Sequence, residues 1–385
     1  MKINLNDLNR QYKHLKLDIN RKINTVLEHQ KFIFGPENQI LENKLSKYVK
    51  SKYCLSVSSG TDALLISLMA LGIQPNDEVI TTCFTFVSTA EVIDQIGAKP
   101  IFVDIDPNSC NFDIDNIEKN ITNKTKAILF VNLFGLPIDY KKLKKIAEDN
   151  KLFLIEDAAQ SFGSKYYNKF SCNLGDISCT SFFPAKPLGC YGDGGAIFTN
   201  NKLIYELCKK IRSHGQDKPY NYVTRGIQGR MDTIQCAIVL SKLKIFKKEI
   251  ENEKKIANFY IKLIKYELKI RNIKYYQSPG NPIKYCTYLI NHNKFIKSAH
   301  AQFPIFTEER DKLRKFLENK GIKTAIYYPK PLSEQKIFKK IKQNKMSKAI
   351  LISKKILSLP MSPYLETKEQ QYVVRNIFKF FDEKN

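Results

Sequence analysis

The first 200 residues alternate short apolar segments with amphipathic helical segments, and this alternation constrains the fold more than any other feature. Several segments are continuous apolar runs, which are typical of strands buried on both faces. Seven strands are predicted, at Tyr53–Val57, Glu78–Thr82, Ile101–Ile105, Ala127–Asn132, Phe153–Glu156, Ile177–Phe183 and Ala196–Thr199. Strands that alternate with helices form a mainly parallel sheet covered by helices, so the predicted fold class is α/β. Such sheets bind ligands at the carboxyl ends of their strands.

The pattern changes beyond about Thr233, where one long helix is predicted to run to Leu268. A chain of 385 residues also exceeds the roughly 250–300 residues that one hydrophobic core supports. We therefore predict a large α/β domain over residues 31–245 and a small α+β domain over residues 246–385. An N-terminal helix within residues 1–30 is expected to pack near the small domain.

Composition excludes several classes of protein. Hydrophobic residues make up 43% and charged residues 26% of the chain, which is typical of a folded globular protein. No apolar run approaches the roughly 18–20 residues of a membrane span, and the N-terminus lacks the apolar region of a secretory signal. The nine cysteines are odd in number and include no C-x-x-C pair, which argues against a disulfide framework or a zinc site. We expect a cytoplasmic protein without a bound metal.

The net charge of +25 is distributed unevenly along the chain. Residues 1–200 carry 23 basic and 22 acidic residues, whereas residues 201–385 carry 40 basic and 16 acidic residues. Only nine of the 63 basic residues are Arg, and no helix-turn-helix, zinc knuckle or arginine-rich tract is present. We interpret the excess as solvated lysines on helix surfaces, some of which could help to hold an anionic substrate. We therefore expect no nucleic-acid partner and no membrane insertion.

The strongest chemical signal is a glycine-rich segment, SFFPAKPLGCYGDGG, that begins at Ser181 where a predicted strand ends. Its Lys186 is the only basic residue between Lys169 and Lys202. A lysine in an apolar loop can lose solvent, acquire a lowered pKa and act as a nucleophile that forms a Schiff base. The alternative is a lysine in a surface loop.

A second signal is the apolar strand that ends in Glu156 and Asp157. A buried carboxylate needs a cationic partner, and the protonated nitrogen of a pyridine cofactor is one such partner. Alternatively, both acids cap the next helix.

The segment Ser88–Glu91, with the sequence STAE, predicts a capping box at the start of another helix.

A third signal is the segment SSGTDAL from Ser58 to Leu64, a tight turn between a strand and a helix. Free backbone amides at a helix start favour a phosphate, although any helix start has this pattern. Phe84 follows the second predicted strand and could stack on a planar ring, but core packing is the commoner role of a phenylalanine.

Together these segments resemble the DegT/DnrJ/EryC1/StrS family of sugar aminotransferases. The resemblance covers nearly the whole chain and includes the segments FIFGPE, SSGTDAL, EDAAQ, SFFPAKPLGCYGDGGA, HGQD, RMD, YP and LPM. It implies the aspartate-aminotransferase fold (fold type I of pyridoxal phosphate enzymes), with a mixed, mainly parallel seven-stranded sheet in the large domain. It also implies pyridoxal 5′-phosphate as cofactor and a homodimer with shared active sites.

The resemblance also implies roles for individual residues. Lys186 would be the catalytic residue and would bind the cofactor as a Schiff base. Asp157 would pair with the pyridinium nitrogen, Gln160 would bond the ring hydroxyl and Phe84 would stack on the ring. The cofactor phosphate would be held by Gly60, Thr61 and Ser181, and by Gln228 from the partner subunit. Substrate contacts are expected from Arg230, Tyr327 and Tyr328.

Two positions depart from the family pattern. Gln228 stands where the family often has Asn, and Tyr327 stands where it often has His. The sequence around Lys186 most resembles that of enzymes that aminate C3 of UDP-2-acetamido-2-deoxy-3-oxo-D-glucuronate. Such enzymes would use glutamate as donor and supply surface polysaccharides such as O-antigen. The alternatives are a transaminase for another keto sugar at C3 or C4, and a non-catalytic regulator. A family dehydratase would carry His in place of Lys186.

Overall fold

A computed structural model of the chain describes residues 1–272, 286–288, 295–341 and 345–383. Within these residues it contains fifteen strands. They are β1 Tyr53–Val57, β2 Glu78–Thr82, β3 Lys99–Val103, β4 Thr125–Val131, β5 Phe153–Asp157, β6 Lys165–Tyr166, β7 Lys169–Phe170, β8 Ile177–Ser181, β9 Gly195–Thr199, β10 Gln216–Lys218, β11 Asn221–Tyr222, β12 Thr287–Tyr288, β13 Ile296–Lys297, β14 Phe303–Phe306 and β15 Ile356–Leu359.

The same part of the chain contains eleven α-helices. They are α1 Leu8–His29, α2 Pro36–Val49, α3 Gly60–Ala70, α4 Ser88–Gln95, α5 Tyr140–Asp149, α6 Lys202–Ile211, α7 Thr233–Leu243, α8 Phe246–Ile270, α9 Arg310–Asn319, α10 Ser347–Lys355 and α11 Thr367–Asp382.

The large sheet has seven strands in the order β1-β9-β8-β5-β4-β2-β3. The pairs formed by β8, β5, β4, β2 and β3 are parallel, whereas β9 runs antiparallel to both of its neighbours. The seven predicted strands and the mixed, mainly parallel α/β sheet are therefore confirmed. Because the parallel strands share one direction, the carboxyl ends of β2, β4, β5 and β8 lie along one edge of the sheet.

Two local predictions are wrong. The long helix predicted from Thr233 to Leu268 is two helices, because α7 ends at Leu243 and α8 begins at Phe246. Helix α7 packs against α1 and α2, whereas α8 packs against α11, so the chain must change direction between α7 and α8. The capping box at Ser88 is also absent, since α4 begins at Ser88 and has no side-chain cap.

The region predicted as the small domain contains a three-stranded antiparallel sheet, β12-β14-β15. Helices α8, α9 and α11 bury apolar side chains against it, among them Tyr260, Leu313 and Ile377. Helix α1 contacts both predicted domains: Leu15 and Ile19 pack on Ile238 of α7, and Arg10 forms an ion pair with Glu369 of α11. In the described part of the chain, no helix is long and apolar enough to cross a membrane.

Candidate active site

A cavity of about 630 Å³ lies where the carboxyl ends of the large sheet meet the small domain. That volume is within the range of small-molecule sites. Most of the predicted site residues line it, namely Gly60, Thr61, Asp157, Gln160, Ser181, Lys186, Tyr327 and Tyr328. Three others, Phe84, Gln228 and Arg230, are not among its lining residues.

Lys186 lies in the loop that leaves β8. The loop turns back on itself, with the Lys186 amide donating to the Phe183 carbonyl at 2.9 Å. Gly189 allows this turn, because a Cβ atom there would lie 2.5 Å from the Pro184 carbonyl oxygen. Burial lowers the pKa of the Lys186 amine below its ordinary value, and the negative charge of Asp157 opposes this shift. A larger neutral fraction makes the amine a better nucleophile.

Asp157 is the last residue of β5 and is 7% exposed. Its carboxylate accepts hydrogen bonds from the Thr89 hydroxyl at 2.9 Å and the Ala159 amide at 3.1 Å. It forms no ion pair with the described residues, and burial raises its pKa above the ordinary value. A buried carboxylate that faces a cavity without an ion-pair partner suits a ligand cation, such as a protonated ring nitrogen.

Glu156 precedes Asp157 but points to the opposite side of the strand, as alternation requires. It is fully buried. Its two oxygens accept hydrogen bonds from the side chains of Asn132, Ser171 and Ser178 and from the amides of Cys172 and Leu174. These donors satisfy the carboxyl group without a ligand, so Glu156 holds surrounding loops together and does not face the cavity.

The start of α3 fits a phosphate. The Ser59 side chain caps the helix by accepting from the Asp62 amide at 3.0 Å. The amides of Gly60 and Thr61 have no acceptor among the described residues, as expected for the first turn of a helix. A Cβ atom at Gly60 would lie 2.7 Å from the Cβ atom of Ser181, so glycine permits β8 to approach the helix start.

The expectation that Phe84 stacks on a ligand ring disagrees with the structure. Phe84 is fully buried in the core and does not line the cavity, whereas Phe86, two residues later, lines it and is 54% exposed. Both phenylalanines follow the same strand with the same side-chain parity, so no local sequence signal distinguishes them. We therefore assign the stacking role to Phe86 as a proposal.

Sequence reasoning also missed the hydroxyl groups at the start of α4. Thr89 donates to Asp157, and the Ser88 hydroxyl lies 2.8 Å from the Thr61 hydroxyl. The capping-box pattern concealed this role, because the same residue types that cap helices also orient carboxylates.

Gln160, three residues beyond the end of β5, and Tyr328 both line the cavity. Gln160 donates through Nε2 to the Tyr328 hydroxyl at 3.2 Å and accepts from the Phe134 amide at 2.7 Å. Burial, with the charge of Asp157, raises the pKa of Tyr328, and burial also raises the pKa of Tyr327. Both phenols therefore stay neutral and can donate hydrogen bonds at physiological pH.

Gln228 and Arg230 lie outside the cavity of their own chain. Gln228 is exposed, and the Nε atom of the half-buried Arg230 has no hydrogen-bond partner among the described residues. Lys186 is the only cationic side chain among the described residues that line the cavity, which also contains the carboxylates of Asp157 and Asp193. A polyanionic substrate therefore requires cations from elsewhere.

Comparison with known proteins gives a consistent result. The profile of the DegT/DnrJ/EryC1/StrS aminotransferase family matches residues 13–378. The chain is 43% identical to the UDP-2-acetamido-2-deoxy-3-oxo-D-glucuronate aminotransferase of Pseudomonas aeruginosa, over 94% of this chain and 95% of that protein. It is 38% identical to a pleiotropic regulatory protein of Geobacillus stearothermophilus, over 99% of both chains. It is 33% identical to the 3-oxo-glucose-6-phosphate:glutamate aminotransferase of Bacillus subtilis, over 94% of this chain and 79% of that protein.

Solved structures are similar over almost the whole chain. The crystal structure of a DegT/DnrJ/EryC1/StrS aminotransferase from Brucella abortus has a TM-score of 0.91 at 36% identity, covering 98% of this chain and 99% of that chain. The structure of NtdA from Bacillus subtilis with bound cofactor PMP has a TM-score of 0.86 at 31% identity, covering 96% of this chain and 82% of that chain.

Proposed function

The chain belongs to the DegT/DnrJ/EryC1/StrS aminotransferase family, and we propose that it aminates C3 of UDP-2-acetamido-2-deoxy-3-oxo-D-glucuronate with L-glutamate as donor. It is an aminotransferase that depends on pyridoxal 5′-phosphate. One observation supports the proposal most: Lys186, with its lowered pKa, and the buried Asp157 line the same cavity. The sugar and the donor are proposed from the names of the relatives.

The residues present fit the cofactor. Asp157 would pair with the ring nitrogen, Phe86 would pack on the ring and Gln160 would bond the ring hydroxyl. Gly60, Thr61 and Ser181 would hold the phosphate at the start of α3. When bound, the cofactor withdraws electrons from the substrate carbon and carries the amino group between two half-reactions.

In this proposal Lys186 does the proton chemistry. With the cofactor bound, its amine would act as general base on the Cα proton of the donor and then as general acid that delivers the proton to C4′ of the cofactor. Burial lowers the pKa of the amine and so increases its neutral fraction, which the base requires. Thr89 and the Ala159 amide keep the Asp157 carboxylate oriented, and the small domain excludes water with Tyr327 and Tyr328.

We also propose a homodimer in which Gln228 and Arg230 complete the site of the partner subunit. The cavity of one chain has a single cation among its described lining residues, although a UDP-linked uronic acid carries a diphosphate and a carboxylate. A guanidinium suits two-point contact with either group. Residue Ile33 pairs with Asp232, next to this segment. Large apolar side chains that typify an interface are exposed around Ile33 and just before Gln228, namely Phe32, Ile33, Phe34, Ile40, Tyr220, Tyr222 and Val223.

The dimer can be tested by complementation between two inactive variants. Lys186→Ala and Arg230→Ala are each inactive or weak alone, and their subunits are mixed and allowed to exchange. If sites are shared, half of the dimers are mixed, each with one intact site, and about a quarter of wild-type activity returns. Activity that does not rise on mixing, with exchange confirmed by native mass spectrometry, would place Arg230 in the site of its own chain.

We propose that the reaction takes place in the cytoplasm and supplies surface polysaccharide such as O-antigen. The proposal of a reducing compartment is supported by the cysteines, since all nine are free and buried. A second candidate is a transaminase for another keto sugar, because one relative is named for 3-oxo-glucose-6-phosphate.

The function is tested with purified protein, glutamate and a panel of UDP-, dTDP- and phosphorylated keto sugars, with products identified by mass spectrometry. We expect amination of the 3-oxo-glucuronate and none with Lys186→Ala. Protein with bound cofactor should absorb at about 410–430 nm, and treatment with borohydride should remove this absorption band. Protein that binds cofactor yet aminates no sugar of the panel would favour a regulator.

A further inference from the structure

The hydroxyl group of the half-buried Tyr328 has a donor but no acceptor among the described residues. Gln160 donates to it through Nε2 at 3.2 Å, and both side chains line the large cavity. Burial, and then the charge of Asp157, raise the pKa of this phenol, so its proton stays on the oxygen. No hydrogen bond joins Tyr328 to Asp157, whose carboxylate accepts from other donors. A buried tyrosine hydroxyl usually finds a partner, so an acceptor is expected in the cavity.

The direction of the hydrogen bond between Gln160 and Tyr328 is fixed by the backbone. The Phe134 amide lies 2.7 Å from one side-chain atom of Gln160 and can only donate, so that atom is the oxygen. The side-chain nitrogen of Gln160 therefore faces Tyr328, and the Tyr328 oxygen accepts. The Tyr328 proton and the second proton on Gln160 Nε2 are then both free to bind a ligand. Because these two donor atoms lie 3.2 Å apart, one oxygen in the cavity can accept from both.

The Tyr328 ring is held from the core by Phe84. The two rings meet edge to face, with their centroids 6.0 Å apart and an angle of 79° between their planes. Phe84 is fully buried in a core cluster that also contains Phe134, the residue whose amide orients Gln160. Edge-to-face contacts have a preferred geometry, and a close-packed core leaves a buried ring little freedom to move. Phe84 therefore restricts where the Tyr328 ring, and with it the hydroxyl group, can lie.

We propose that Phe84 and Gln160 orient Tyr328 so that its hydroxyl group donates to the same ligand oxygen that Gln160 bonds. This inference rests on the proposed function, in which that oxygen is the ring hydroxyl of the cofactor. Two donors that converge on one oxygen stabilise negative charge on it more than one donor does. Phe84 does not line the cavity, so it acts through Tyr328 and is a positioning residue.

The test measures the affinity of cofactor-free protein for pyridoxamine 5′-phosphate by isothermal titration calorimetry. This ligand carries the ring hydroxyl and binds without a covalent bond to Lys186. The reference ligand is its analogue that lacks the ring hydroxyl. Tyr328→Phe keeps the aromatic ring and removes the donor, so it should weaken binding of pyridoxamine 5′-phosphate by about tenfold, the effect of losing one hydrogen bond. Binding of the analogue should not change, because the analogue offers no oxygen at that position.

Phe84→Leu tests the positioning role. It should weaken binding of pyridoxamine 5′-phosphate by about threefold in the wild-type protein and have no further effect when combined with Tyr328→Phe. Phe102→Leu is the matched control, because Phe102 is a buried phenylalanine of the same core cluster that meets the ring of Phe338 at 5.4 Å. It should leave the affinity unchanged. If Phe84→Leu does not fold, Phe84→Met takes its place, since methionine fills the space without a ring.

Each outcome separates the contact from general structural damage. If Tyr328→Phe weakens both ligands equally, or weakens neither, Tyr328 does not donate to the ring oxygen and the proposal is overturned. If Phe84→Leu weakens binding to the same extent with and without Tyr328→Phe, Phe84 does not act through Tyr328, and its positioning role is overturned. Wild-type protein that fails to bind pyridoxamine 5′-phosphate would instead overturn the proposed function.

Discussion

The two ends of the large cavity differ in how completely one chain builds them. At the strand-end side, Lys186, Asp157, Gly60 and Ser181 are held by backbone turns, hydrogen bonds and a helix start within the same domain. At the side expected to receive the nucleotide sugar, the described lining residues supply no second cation, and Arg230 lies outside. The groups proposed to hold the cofactor thus lie mostly within one chain, whereas recognition of an anionic substrate is proposed to need Arg230 of a partner subunit.

Among substitutions at the strand-end side of the cavity, Lys186→Ala should reduce transamination the most. Loss of the primary amine removes the nucleophile and the proton-transfer group together, so transamination should fall by at least about a thousandfold. The measurement is steady-state amination of the sugar, with Lys202→Ala, an exposed lysine, as control. Substantial turnover by folded Lys186→Ala would contradict the assignment of the catalytic residue.

Asp157→Asn should have the next largest effect. The amide removes the negative charge that would pair with the ring nitrogen, and we expect both half-reactions to slow by about a hundredfold. Stopped-flow absorbance can follow each half-reaction. Glu156→Gln is the informative comparison, because that carboxylate accepts five hydrogen bonds away from the cavity and should affect stability more than rate.

The same substitution makes a prediction about stability without cofactor. Burial raises the pKa of Asp157, so the folded state holds its proton more tightly than the unfolded state does. The stability from this group is complete below the unfolded pKa and is lost as pH rises through the folded pKa. Cofactor-free Asp157→Asn should therefore be more stable than wild type at pH 8 but not at pH 4, as measured by urea unfolding. If the stability of the two proteins depends equally on pH, then ionised Asp157 does not destabilise the folded, cofactor-free protein.

Arg230→Lys tests the opposite side of the comparison. It should leave cofactor binding and the glutamate half-reaction intact and weaken the sugar half-reaction by roughly 1.5–3 kcal/mol, the value of a charge-assisted hydrogen bond. Arg314→Lys, an exposed arginine on α9, is the matched control. Equal damage to both half-reactions, or to neither, would remove Arg230 from the substrate site.

The smallest effect is expected from the charge of the second half of the chain. If the lysines of residues 201–385 are solvated surface, duplex DNA should bind weakly and lose affinity steeply as salt increases. Fluorescence anisotropy with labelled DNA at about 50 and 200 mM salt measures this. Tight, sequence-specific binding at physiological salt would show that the charge serves a nucleic-acid partner.

Much of the fold could be predicted from the sequence, because buried parallel strands and amphipathic helices have distinct periodicities. All seven strands of the large sheet were predicted, with boundaries shifted by up to two residues at β3, β4 and β8. Lys186 and Asp157 were predicted because one is an isolated cation after a strand and the other ends an apolar strand. The break between α7 and α8 near Lys244 could not be predicted in this way, because the helical pattern of the sequence continues from one helix into the next.

What the sequence by itself determined is therefore the set of strand ends that deliver chemical groups to one edge of the sheet. Only the tertiary structure decided which neighbouring groups reach the cavity. It placed Phe86 on the cavity and Phe84 in the core, and it turned Asp157 towards the cavity and Glu156 away from it. The physical reason is that periodicity reports which side of an element is buried, whereas a cavity depends on how elements far apart in the chain pack together.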